Sequence, residues 1–216
     1  MTLEEAIAKI KPLDHNAMEI AQKRWDSIAK PLHSLGKLET LLIQIAGITG
    51  NAEVDLSRRG LIAMCADNGV VEEGVTQTGQ EVTAIVAENF LKYDTSVGVM
   101  CKQNHAEIFP VDMGMVTDTK VRTDHKIAYG TQNMTKGPAM TREQAVKGLE
   151  AGIDMVRELN DKGYRILATG EMGIGNTTTS SAVASVLLKQ PVEEMTGRGA
   201  GLTSDCLLYT SDAADD

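Results

Sequence analysis

Apolar residues recur at helical spacing over the first 47 positions, and the pattern then changes to short apolar runs alternating with amphipathic stretches. Residues 3–47 read as helical. Asp14 is positioned to cap a helix to about residue 29, with Met18, Trp25 and Ile28 on one side. Lys30-Pro31 breaks that helix, because proline lacks an N–H and its ring clashes with the preceding turn. Leu38, Leu41, Leu42 and Ile45 resume helical spacing over residues 37–46, and Gly47 is expected to end it.

Residues 61–66 (LIAMCA) form an apolar run between Gly60 and Asp67-Asn68-Gly69. A run apolar on both faces predicts a parallel strand covered by helices. Thr78-x-x-Glu81 has the spacing of a capping box, in which two side chains bond each other's backbone N–H. It predicts a helix burying Val82, Ile85, Val86 and Phe90, followed by a short helix near residues 96–102. A strand is expected at 107–111, where Pro110 favours an edge or a bulge. Residues 113–137 read as irregular, with one strand near 126–129. Thr141-x-x-Gln144 is a second capping box, opening a helix with Ala145, Leu149, Ile153, Val156 and Leu159 on one face and Gly163 at its end. A strand at 164–169 and a helix at about 177–189 complete the alternation. The order predicts an α/β fold with a parallel, Rossmann-like sheet behind a small N-terminal helical domain. The expected division is 1–50 helical and 51–205 nucleotide-binding.

Composition narrows the partners. A formal net charge of −9 lacks the basic footprint of a general nucleic-acid binder. Anionic ligands stay open, because helix N-termini bind anions without a net positive protein. No apolar run approaches the roughly 18 residues of a membrane span, and the acidic start MTLEEAIAKI is unlike a secretory signal. Cys65, Cys101 and Cys206 show no metal-ligand spacing, which predicts reduced thiols in a cytoplasmic protein.

Three expected strand ends carry an acidic residue beside glycine: Asp67, Asp112 and Glu171. Ligands of open α/β sheets bind beyond the carboxyl ends of the strands, so these carboxylates either face a ligand or cap turns. Residues 170–179 (GEMGIGNTTT) say more. Gly170, Gly173 and Gly175 permit a sharp turn and close backbone approach. Asn176 or Thr177 is expected to cap the next helix, whose start is either a phosphate site or an ordinary strand-to-helix connection. Thr177, Thr178 and Thr179 would add hydroxyl donors. The loop is neither a P-loop nor a G-x-G-x-x-G fingerprint. Met113 and Met115, flanking Gly114, either line an apolar pocket or fill the core.

Seven ordered segments carry a family resemblance: KPLHSLGKLE (30–39), MCADNGVVEEGVT (64–76), VTAIVAENF (82–90), VDMGM (111–115), KGPAMTREQA (136–145), TGEMGIGNTT (169–178) and GRGAGL (197–202). Together the chain resembles the nicotinate-nucleotide–dimethylbenzimidazole phosphoribosyltransferases over about residues 14–205. The resemblance implies transfer of phosphoribose from nicotinate mononucleotide to 5,6-dimethylbenzimidazole. It implies a homodimer in the full-length family and no metal or organic cofactor. It makes Glu171 the active-site carboxylate near the ribose. Gly173, Gly175, Asn176, Thr177 and Thr178 would hold the nucleotide, and Thr78, Val86 and Met172 would line the pocket for the base. Some relatives carry Gln where this chain has Val86. The family's general-base glutamate and an active-site lysine lie beyond Leu202, in a part that this sequence lacks. The tail 206–216 resembles no family segment, so the C-terminal part of the family fold is expected to be missing and some apolar surface and a strand edge exposed. The chain by itself is then expected to bind nucleotide with little or no turnover.

Overall fold

The computed structural model describes residues 1–197 and Gly199. The chain divides into two units, Met1–Arg58 and the part from Arg59 onward.

Helices α1 (Leu3–Ala8), α2 (His15–Ser27) and α3 (Lys37–Thr49) make up the first unit. Asp14 caps α2, its Oδ1 accepting the Ala17 N–H at 3.0 Å, as the spacing predicts. Gly47 does not end α3. It is buried within the helix, and a Cβ there would sit 2.7 Å from Met18 Cγ and Sδ. Its missing side chain serves close packing against α2, while Gly50, with φ +65°, makes the left-handed cap. Lys30 and Glu39, which bracket the first family-like segment, form a buried ion pair at 2.8 Å. The Lys30 ammonium, assisted by the Leu35 N–H, holds the Glu39 carboxyl below its ordinary range.

The second unit holds a parallel sheet of β1 (Arg59–Ala66), β2 (Ala106–Gly114) and β3 (Ile166–Met172) in the order β2-β1-β3. The predicted parallel α/β class is therefore the observed one. Its central strand is buried on both faces. Ala63 and Cys65 pack in one cluster with Ala84, Ala87 and Phe90 of α4 (Glu81–Phe90). Ile62 packs in a second with Met155 and Leu159 of α6 (Arg142–Asp161). Pro110 lies on β2, an outer strand among those described, as a residue without an N–H requires. Burial pushes the Cys65 thiol up to about 12 and raises Cys101; both are free thiols. Cys206 lies outside the described residues, with the tail 206–216 and all of GRGAGL except Gly197 and Gly199.

Several expectations are corrected. Thr78 and Glu81 form no capping box, because α4 starts after Gln80 without a side-chain cap. Its buried face is Thr83, Ala84, Ala87 and Phe90, with Ile85 exposed. The small residues turn toward the sheet, where close approach favours them over bulk. α6 does start from the Thr141–Gln144 capping box and is followed by Gly163 at φ +89°. It buries Ala151, Met155 and Leu159, leaving Leu149 and Val156 exposed. β3 starts later than expected and runs on to Met172. No strand forms at 126–129; the Ile127 N–H instead bonds the Met113 carbonyl at 3.0 Å. Among the described residues, no helix is long and apolar enough to cross a membrane. Thr141→Ala should remove one cap of α6 and cost about 1 kcal/mol, read as a lower urea midpoint with an unchanged m-value.

α5 (Ser96–Gln103), capped by Thr95, leads into β2, and α7 (Asn176–Leu188) and α8 (Val192–Met195) follow β3. Val183, Val186, Leu187 and Leu188 of α7 are exposed, and so are most side chains of β3. Apolar side chains are thus exposed on α7, and among the described residues β3 is an outer strand that pairs only with β1.

Candidate functional site

The site is assembled where β1 and β3 end side by side. Their register pairs Met64 with Glu171 and Cys65 with Met172. After Met172 the chain must turn immediately into α7. Gly173 makes this possible, since a Cβ there would strike the Ala66 carbonyl oxygen. Gly175 completes the turn at φ +85°, and a Cβ on it would lie 2.9 Å from Val71 Cγ2. The left-handed conformation and the lack of space both demand glycine. Gly175→Ala should therefore destabilise the protein by about 1–2 kcal/mol, seen as a lower melting temperature.

Gly175 is itself the N-cap of α7, which no side chain caps. Asn176 is thus the first helical residue rather than the cap. Its amide donates to Glu171 Oε2, and its N–H bonds the Gly173 carbonyl at 3.1 Å. The first-turn N–H groups of Thr177 and Thr178 have no acceptor within the helix. Such unpaired N–H groups, with the helix dipole, are donors of the kind an anionic oxygen accepts from. Thr177 is exposed, and Gly199 lies against it: a Cβ on Gly199 would be 2.8 Å from Thr177 Oγ1. Thr178 is buried. The Thr179 hydroxyl is engaged by the fold, bonding Asn68 Oδ1 at 3.2 Å and the Asn176 carbonyl at 3.0 Å.

The three strand-end carboxylates diverge. Glu171 is open to solvent on one side, yet the surrounding protein pushes its carboxyl above the ordinary range, with the Asn176 amide opposing. Asp67 is fully buried; its Oδ2 accepts the Val116 N–H at 2.8 Å. Burial raises its carboxyl and the Val116 bond opposes this. Asp112 is also fully buried, its Oδ1 accepting the N–H groups of Gly114 and Met115 at 2.9 and 2.7 Å. Its Oδ2 pairs with Lys126 Nζ at 3.1 Å. Asp112 has the geometry of a turn cap, whereas Asp67 ties the end of β1 to the loop after β2, 49 residues away.

Val86 and Met172 pack against the same cluster, formed around Ala63, Cys65 and Phe90. Thr78 is exposed on the loop before α4, where its carbonyl accepts the Thr76 hydroxyl at 2.8 Å. A separate cavity of about 230 Å³ opens at the ends of β1 and β2, lined by Ala66, Met113, Ile127, Met140 and Gln144 among others. Met113 thus lines an apolar pocket, whereas Met115 is core. Among the described residues, no three His, Cys, Asp or Glu side chains gather to hold a metal ion.

Sequence reasoning read Asn68 only as part of a turn and did not single out Thr83. Asn68 Nδ2 donates to the Ile174 carbonyl at 3.0 Å, and Thr83 Oγ1 accepts the Ile174 N–H at 3.0 Å. The sole sequence signal is that Asn68 follows a strand on the ligand-binding edge.

The phosphoribosyltransferase family model (DBI_PRT) matches residues 10–212, a range ending inside the 206–216 tail. A nicotinate-nucleotide–dimethylbenzimidazole phosphoribosyltransferase from Ruminiclostridium cellulolyticum is 50% identical over 210 residues, covering 96% of this chain and 60% of the relative. One of the same name from Clostridium acetobutylicum is 49% identical, covering 95% and 59%. The crystal structure of CobT from Thermus thermophilus superposes with a TM-score of 0.84 at 34% identity, over 93% of this chain and 61% of that one. The chain thus spans about 60% of the length of these relatives. With a family match across nearly its whole length and the same fold at 34% identity, the chain belongs to the phosphoribosyltransferase family that these proteins represent.

Proposed function

We propose that the protein transfers phosphoribose from nicotinate mononucleotide to 5,6-dimethylbenzimidazole, giving α-ribazole 5′-phosphate and nicotinate for the lower ligand of cobalamin. The observation that carries this reading is the 50% identity, across 96% of the chain, to a relative named for that reaction. The local chemistry agrees. The 5′-phosphate sits at the uncapped start of α7, on the backbone from Gly173 to Thr178. Nicotinate leaves with the electron pair of its bond to ribose, and the sugar carbon gains oxocarbenium character. The Glu171 carboxylate stabilises that developing positive charge. A benzimidazole nitrogen then bonds to the carbon, and the proton on its other nitrogen passes to a general base. The family resemblance assigns that base to a glutamate outside this sequence. Val86 and Met172 present apolar surface to the planar base, with Thr78 at its rim. Asp67 and Asp112 act beneath the site by fixing the loops after β1 and β2. The reading includes a homodimer working in the cytoplasm.

A version extended to the full length of its relatives, mixed with nicotinate mononucleotide and 5,6-dimethylbenzimidazole, should yield α-ribazole 5′-phosphate and nicotinate in equal amounts by liquid chromatography and mass spectrometry, whereas the 216-residue chain should bind the nucleotide with little or no product. Nucleotide binding without product would mark the 216-residue chain as a binding half alone. Neither binding nor product would remove the reading.

A further inference from the structure

The loop between β3 and α7 has few bonds of its own, yet its central peptide is held from both sides. Ile174 donates its N–H to Thr83 Oγ1 of α4 at 3.0 Å. Its carbonyl accepts from Asn68 Nδ2, beyond the end of β1, also at 3.0 Å. Asn68 Oδ1 takes the Thr179 hydroxyl at 3.2 Å, so one carboxamide spans the crest of the loop and the first turn of α7. The Asn68 carbonyl is held by Gln80 Nε2 at 3.0 Å. Thr83 is fully buried and Asn68 half-buried. These contacts link positions 91, 106 and 111 residues apart.

We infer that Asn68 and Thr83 are positioning residues that fix the Ile174 peptide, and through it the anion-accepting start of α7. The inference rests on reading that helix start as the nucleotide phosphate site. The chemistry of each side chain is specific. Asparagine supplies a donor to one partner and an acceptor to the other. Aspartate has the same shape but only acceptors. It would face the Ile174 carbonyl with an oxygen and place negative charge beneath the phosphate. Valine at position 83 preserves volume but leaves the Ile174 N–H without its acceptor.

The test uses Asn68→Asp, Thr83→Val and Thr83→Ser, each read two ways. Amide hydrogen exchange follows Ile174 against Met64 of the central strand, and calorimetry measures nicotinate mononucleotide affinity. Asn68→Asp and Thr83→Val should each speed exchange at Ile174 while Met64 stays protected, and weaken nucleotide binding about tenfold. Thr83→Ser retains the hydroxyl and should stay within about twofold of the parent in both. Faster Ile174 exchange with unchanged affinity would overturn the inference, as would equal losses in Thr83→Ser and Thr83→Val. A parent protein that binds no nicotinate mononucleotide, yet shows the selective Ile174 response, would overturn the nucleotide reading and leave the clamp on Ile174 standing.

Discussion

In a version extended to the full length of its relatives, replacing Glu171 with glutamine should lower turnover about a hundredfold while changing nicotinate mononucleotide affinity by less than about threefold. Glutamine keeps the length of the side chain and an oxygen for the Asn176 amide, which donates to Glu171 Oε2 in the parent. Only the charge is lost, and its stabilising effect is greatest where the ribose carbon becomes positive. The ground-state nucleotide carries a negative phosphate nearby, so its affinity has little reason to fall. The pH profile offers an independent check. Crowding by the protein holds the Glu171 carboxyl above its ordinary range. Its charged form is therefore lost at a higher pH than for a free glutamate. Turnover should fall as pH drops through that raised value, and the glutamine variant should lack this acid limb. An equal fall in turnover and affinity, or an unchanged acid limb, would remove Glu171 from the transition state.

Asp112→Ala should cost about 3–5 kcal/mol of stability in urea unfolding. Asp112 is fully buried, and Lys126, its partner at 3.1 Å, is nearly so. Alanine would leave that ammonium enclosed, with the exposed Asp118 carboxylate at 3.5 Å and the Tyr129 ring at 3.8 Å as poor substitutes. It would also strip the acceptor from two buried backbone N–H groups, those of Gly114 and Met115. Removing the unpaired charge as well, in Asp112→Ala with Lys126→Met, should recover part of the loss. A double variant worse than Asp112→Ala alone would show that the ion pair is not the source of the cost.

The legible parts of the fold were those decided within a few residues. The Thr141–Gln144 box and the Asp14 cap need only their own helix, and both formed. The apolar run of β1 announced a strand buried on two faces. The Thr78–Glu81 spacing had the same local form and failed, because tertiary demands set the phase of α4. Thr83 must face Ile174, Gln80 reaches Asn68, and Ala84 and Ala87 pack inward. Helix faces were misread for a related reason. On α4, Thr83, Ala84 and Ala87 face the sheet in place of Ile85, whereas α6 buries Met155 and Leu159 with Leu149 and Val156 outside. Within the site, the glycines and the helix start were readable from residues 170–179 alone. The bonds that orient them join segments far apart in the chain, and no local pattern encodes those. The separation of Glu171 from Asp67 and Asp112 likewise required knowing which carboxylates the fold encloses.

In the proposed function, the start of α7 holds the phosphate of the nucleotide. Calorimetric titration with nicotinate mononucleotide and with nicotinate riboside, identical but for the phosphate, tests it directly. The mononucleotide should bind at least about a hundredfold more tightly, as expected for two or more charge-assisted bonds to one anion. Equal affinity for the two compounds would contradict the account.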